Sequence, residues 1–149
     1  MNLQRLFEPR SIAVIGASRS RSKIGSTILA NIRAAGFTGK VYPVNPKAQK
    51  IGDLRCYETV EAIHGTVDVA VIVIPAQFVA AALTQCGKKR IPFAVVISAG
   101  FEEAGSEGAA RDAELRRIAA KYKIQILGPN CLGIINTQSR LNASFASGH

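Results

Sequence analysis

Val69-Ala70-Val71-Ile72-Val73-Ile74 is an unbroken apolar run, stopped by Pro75. A strand wet on one face alternates apolar and polar side chains. A continuous run instead marks a strand covered on both faces, as in a parallel sheet between helices. Related runs recur at residues 12–15, 40–44, 93–97 and 124–127. Helical spacing fills the intervals. Ile24, Ile28, Ile32 and Ala35 share one face ahead of Gly36, which is placed to cap that helix. A short helix is expected around residues 57–63. Val79, Ala82, Leu83 and Cys86 mark a helix after Pro75. Leu115, Ile118, Ala119 and Tyr122 mark another, with Arg111, Asp112, Arg116, Arg117 and Lys121 turned outward. Alternating strands and helices predict one α/β domain, a doubly wound parallel sheet of five strands with right-handed crossovers.

In such Rossmann-like folds ligands bind beyond the carboxyl ends of the strands. The polar loops fall there, at residues 16–25, 45–50, 75–77, 98–105 and 128–133. The first is the most telling. Strand residues 12–15 run into Gly16-Ala17-Ser18-Arg19-Ser20-Arg21-Ser22-Lys23, and a helix then begins near Gly25. Backbone N–H groups at such a turn and helix start attract an anion. Gly16 and Gly25 permit close approach, and Arg19, Arg21 and Lys23 add positive charge. One or two of those three side chains are expected to touch phosphate.

Charge points the same way. Residues 1–50 carry nine basic residues against Glu8 alone, so eight of the nine net positive charges lie there. With 6% aromatic residues and no tryptophan, the chain lacks the stacking platform of a nucleic-acid binder. No apolar run approaches a membrane span, and the amino terminus does not read as a signal peptide. A cytoplasmic chain with no membrane or nucleic-acid partner is expected. Cys56, Cys86 and Cys131 have neither metal-site nor redox-pair spacing and read as reduced thiols. No metal site is expected.

The first loop departs from the Gly-x-Gly-x-x-Gly fingerprint, because Ser18 stands where the second glycine belongs. Sites for NAD also place an acidic residue after the second strand, and here Val44 leads into Asn45-Pro46-Lys47. A lysine there suits a ribose phosphate. Two cofactors fit: NADP, with its 2′-phosphate, and coenzyme A, with its 3′-phosphate.

Five ordered segments carry a resemblance. They are Pro9-Arg10-Ser11-Ile12-Ala13-Val14-Ile15-Gly16-Ala17-Ser18, Val41-Tyr42-Pro43-Val44-Asn45-Pro46, Val73-Ile74-Pro75-Ala76, Ile97-Ser98-Ala99-Gly100-Phe101 and Gly128-Pro129-Asn130-Cys131-Leu132-Gly133. Together they resemble the CoA-binding domain of the NDP-forming acyl-CoA synthetases and the succinyl-CoA synthetase alpha subunit. The same domain opens related protein lysine acetyltransferases. The resemblance implies that Gly16, Ala17, Ser18, Arg19, Lys23 and Gly25 hold CoA phosphates. It implies that Asn45, Pro46 and Lys47 border the adenosine end, although the lysine of the synthetase subunit stands one residue further from the proline. Ile74, Pro75 and Ala76 would wall the adenine. Ser98, Ala99 and Gly100 would line the pantetheine path, with a backbone contact where the succinyl-CoA branch has a glutamate. Asn130 and Cys131 would border the thiol end.

The family's phosphorylated histidine lies in a later domain. His64 and His149 are the chain's two histidines, and neither matches it. Residues 1–136 are therefore expected to form the CoA-binding domain, and residues 137–149 a tail leading towards a second domain. The fragment alone is not expected to be catalytic. Its expected partners are CoA or acyl-CoA, and further domains or a nucleotide-binding subunit of a ligase. The alternatives are a CoA-sensing module of a lysine acetyltransferase and an NADP-binding oxidoreductase domain. Cys131 has no base beside it in sequence and reads as a packed residue near the ligand, not a nucleophile. Glu102 and Glu103 read as a solvated loop or a helix-start signal.

Overall fold

The computed structural model describes residues 2–146. In chain order the elements are α1 (Gln4–Phe7), β1 (Ser11–Ile15), α2 (Ile24–Ala34), β2 (Lys40–Val44), β3 (Lys50–Ile51), β4 (Leu54–Arg55), a 3-10 turn (Val60–Ala62), β5 (Val69–Ile72), α3 (Ala76–Lys88), β6 (Phe93–Val96), a second 3-10 turn (Glu102–Ala104), α4 (Ser106–Tyr122), β7 (Gln125–Leu127), β8 (Gly133–Asn136) and β9 (Leu141–Ser144). β2, β1, β5, β6 and β7 lie side by side in that order, and every adjacent pair is parallel. The chain steps from β1 outward to β2, then crosses to the other side of β1 to lay down β5. The switch point therefore falls between β1 and β5, the crevice where ligands gather in such sheets.

Strand alternation divides the core into two layers. Ile12, Val14, Val69, Val71, Phe93 and Val95 face α2, where they meet Ile28, Leu29 and Ile32. Ala13, Ile15, Ala70, Ile72, Ala94 and Val96 face the other way, towards Val79, Leu83 and Cys86 of α3 and Leu115 of α4. Both faces of the central strands are apolar because both are covered. Gly87 lets α3 meet α4: a Cβ there would stand 2.2 Å from the Tyr122 ring. Among the described residues no helix is long and apolar enough to cross a membrane.

Several elements differ from the sequence-based expectation. β5 ends at Ile72, not Ile74. The Val73 amide still donates to Ile15 O, but the Ile74 amide turns to the Ser98 hydroxyl. The helix expected around residues 57–63 is only the 3-10 turn Val60–Ala62. Ile24, assigned to the buried face of its helix, is 45% exposed, because as the first residue of α2 it lines the open cleft beyond β1. Asp112, expected outward, is buried and takes Arg116 Nε at 2.8 Å. The boundary drawn at residue 136 falls inside the β8–β9 hairpin. Leu141 and Ala143 of β9 are buried in the α2-side core. Residues 147–149, with His149, lie outside the described residues.

Candidate functional site

A cleft of about 880 Å³ opens at the carboxyl ends of β1, β5 and β6. That is a common size for a small-molecule site. Its first wall is the turn after β1. Gly16 has φ +99°, and a Cβ on it would stand 2.2 Å from Val73 O. Only glycine lets this turn cross so close to the end of β5. A Cβ on Gly25 would stand 2.0 Å from Gly16 O, so the start of α2 rests directly on the turn. The space spared by Gly25 is thus filled by protein backbone. Ser18 Oγ accepts the Ser20 amide at 3.0 Å, and the Ser20 and Ser22 hydroxyls meet at 2.9 Å.

Lys23 is the N-cap of α2, in extended conformation and with no side-chain cap; no acidic residue stands in the first turn. The Ser26 and Thr27 amides return to Lys23 O. The amides of Ile24 and Gly25 meet no protein acceptor among the described residues. Those open donors and the helix dipole make the end of α2 electropositive.

Asn45, just beyond β2, spends both ends of its side chain on geometry. Nδ2 donates to Ala17 O at 2.8 Å, and Oδ1 accepts the Lys47 amide at 2.8 Å. It ties the phosphate-type turn to the loop that carries Lys47. Beneath it Cys56 Sγ donates to Asn45 O, and burial pushes that thiol's pKa up. The Ser98 hydroxyl links the next two loops: it accepts the Ile74 amide at 3.1 Å and donates to Ile74 O at 2.6 Å. The Asn130 amide donates to Ser98 O at 3.0 Å.

Of the residues singled out from the sequence, Gly16, Ala17, Ser18, Lys23, Gly25, Asn45, Lys47, Ile74, Pro75, Ser98, Ala99, Asn130 and Cys131 all line this one cleft. Arg19, Pro46, Ala76 and Gly100 do not. Arg19 and Pro46 point to solvent on the same loops. Gly100 sits against α3, where a Cβ would come within 2.9 Å of the Ala76 Cβ, and its carbonyl accepts Arg111. Glu103 folds back to accept the Gly100 and Phe101 amides, and these bonds lower its pKa.

The lining also includes Ser22, Ile24, Val73, Ile97, Leu132 and Phe145. Apolar periodicity hid most of these, since an apolar residue at a strand end or on a helix face reads as core. Phe145 lay in the presumed tail.

Lys23 and Lys47 are the charged side chains of the lining, both positive. Cys131 is half-buried, its thiol donates to Val96 O at 3.4 Å, and burial raises its pKa. Burial thus favours the neutral thiol, and among the described residues no His, Asp or Glu lines the cleft beside it. Among the described residues no group of His, Cys, Asp and Glu is arranged to hold a metal.

The sequence matches the CoA binding domain family over residues 10–137. It is similar to the acetate–CoA ligase (ADP-forming) I of Archaeoglobus fulgidus, at 49% identity over 144 residues, 97% of this chain and 21% of the ligase. It is similar to the alpha subunit of the acetate–CoA ligase (ADP-forming) II of Pyrococcus furiosus, at 46% identity over 96% of this chain and 31% of the subunit. The fold superposes on the dinucleotide-forming acetyl-coenzyme A synthetase 1 of Ca. Korarchaeum cryptofilum, solved with phosphate and ADP, with a TM-score of 0.95. Identity there is 46%, over 98% of this chain and 31% of that one. The chain spans about a fifth to a third of the length of these relatives.

Proposed function

This chain belongs to the CoA-binding domain family and its cofactor is coenzyme A; we propose that the cofactor lies in the cleft at the carboxyl ends of β1, β5 and β6. The observation that carries this reading is electrostatic. A cleft with two lysines and no acidic side chain in its lining surrounds the open amides at the start of α2.

The residues suit the parts of the ligand. The turn from Gly16 to Ser18 and the Ile24 and Gly25 amides hold the pyrophosphate, with Lys23 beside it and Arg19 adding charge from solvent. Lys47, held by the Asx turn of Asn45, meets the 3′-phosphate, and Pro46 stands beside it on the solvent side of that loop. Ile74 and Pro75 wall the adenine, with Ala76 behind them. Ser98 and Ala99 border the pantetheine, and Gly100 lets their loop pack on α3. Asn130 and Cys131 border the thiol end. When bound, CoA supplies a thiol that carries the acyl group as a thioester. The chain's own residues bind and orient it, and among the described residues no His, Asp or Glu lines the cleft.

In a longer protein this domain serves as the CoA platform of an NDP-forming acyl-CoA synthetase. There acid, CoA and nucleoside triphosphate interconvert with acyl-CoA, nucleoside diphosphate and phosphate. Nucleotide-binding domains or a separate subunit carry the phosphoryl chemistry. Such a ligase works in the cytoplasm, where its substrates are.

Calorimetric titration with CoA, dephospho-CoA and NADP tests the assignment. CoA binds; removing the 3′-phosphate or making Lys47→Ala weakens it on the order of tenfold. The two changes together weaken it little further, because they break one contact. Salt reduces the affinity. Binding of NADP without CoA would overturn the reading.

A further inference from the structure

The thiol side of the cleft differs in chemistry from its phosphate side. Leu132 is 60% exposed. It lines the cleft together with Ile97, Cys131 and Phe145. Scattered surface aliphatics need no explanation, but a group of them gathered on the wall of a ligand cleft does. Phe145 is fixed in place there. Its amide donates to Leu132 O at 3.2 Å, and Asn31 Nδ2 holds the flanking carbonyls of Ser144 and Ala146 at 2.8 and 3.1 Å. Its side chain packs on the same cluster as Ile97 and Cys131. The cations of the lining, Lys23 and Lys47, belong to the segments assigned above to the phosphates.

Resting on the reading of the cleft as the CoA site, we infer that the wall formed by Leu132 and Phe145 receives the acyl group of a bound thioester. It selects apolar acyl chains longer than acetyl over acyl groups that end in a carboxylate. The wall is continuous with the lining around Cys131, where the thiol end lies, so an acyl chain leaving the sulfur meets it first. Apolar methylenes gain by leaving water against Leu132 and Phe145. A terminal carboxylate would lose water there, and among the described residues the cations of the lining, Lys23 and Lys47, stand on the phosphate segments.

The test is titration of this chain with CoA, acetyl-CoA, hexanoyl-CoA and succinyl-CoA. Burial of a methylene strengthens binding by up to about fourfold, and half-burial on an open wall by about twofold. Hexanoyl-CoA then binds on the order of tenfold more tightly than acetyl-CoA, and succinyl-CoA no more tightly than CoA. In Leu132→Ser the hexanoyl-to-acetyl ratio collapses towards unity. Leu132 is exposed, so that substitution leaves the core packing alone, and the ratio in Phe145→Ala is an independent second readout. CoA binding with equal affinity for all thioesters, or a preference for succinyl-CoA, overturns the inference and leaves the CoA reading standing. Failure of CoA and every thioester to bind overturns both.

Discussion

Replacing Gly16 by alanine would place a methyl group 2.2 Å from Val73 O and 2.9 Å from Ile74 Cγ2, at φ +99°. Two separate costs arise. The backbone conformation is one that side-chain-bearing residues avoid, worth about 1–3 kcal/mol. Overlap with backbone adds about 1–3 kcal/mol, as in an overpacked core. The carbonyl cannot easily turn aside, because Val73 N is bound to Ile15 O at 2.9 Å and the next amide to Ser98. Gly105 separates the two terms. It has φ +89°, and nothing lies within 4 Å of a Cβ built on it. Gly105→Ala therefore carries no overlap cost, only the conformational one and a small change at the N-cap of α4. Expected losses are about 2–6 kcal/mol for Gly16→Ala and about 1–3 kcal/mol for Gly105→Ala. Urea unfolding at neutral pH measures both. Gly16→Ala should also lower Tm by roughly 10 °C in a domain of this size. If the two variants lose equal stability, the close crossing of the turn over the end of β5 is wrong, and with it the floor of the cleft.

Two further predictions concern titratable groups. The Gly100 and Phe101 amides hold the Glu103 pKa down. A lowered carboxylate pKa contributes stability that is present above the unfolded pKa and lost as pH falls through the folded one. The difference in urea midpoint between the native chain and Glu103→Gln should therefore be present at neutral pH and disappear on acidification below the ordinary carboxylate range. Equal differences at both pH values would show that Glu103 does not hold that loop. Burial raises the thiol pKa of Cys131, and that of buried Cys86 to about 12. In the native chain at neutral pH, iodoacetamide should alkylate Cys131 more slowly than a free thiol and Cys86 scarcely at all, as read by mass spectrometry. Rapid labelling of Cys131 would mean an activated thiol at the cleft.

Much of this fold can be read from local pattern, and the exceptions have physical causes. The runs at residues 12–15, 69–72 and 93–96 announce buried parallel strands because a strand covered on both faces has no polar positions. The phosphate-type turn is equally plain, since glycine, small residues and cations meet between a strand and a helix. Ile24 and Val73 misled for the opposite reason. Each continues the periodicity of its element but stands at its end, Ile24 at the start of α2 and Val73 just past β5, where apolar residues line a cleft instead of a core. The β8–β9 hairpin was missed because Leu141-Asn142-Ala143-Ser144 is short and weakly apolar, yet its period-two alternation buries Leu141 and Ala143. That miss also hid Phe145. The part played by Asn45 and Ser98 was beyond sequence reasoning: both looked like ligand contacts, and both spend hydrogen bonds tying loops that are distant in sequence.

The most direct test of where CoA sits is a nuclear magnetic resonance titration of the isotope-labelled chain with CoA, following the backbone amides. The largest shifts should fall on residues 16–25, on Lys47, and on residues 98–99 and 130–132, with the Ile24 and Gly25 amides among them as they gain an acceptor. Shifts gathered instead at the opposite end of the sheet, around the polar recess of Arg10, Lys40 and Thr66, would contradict the assignment.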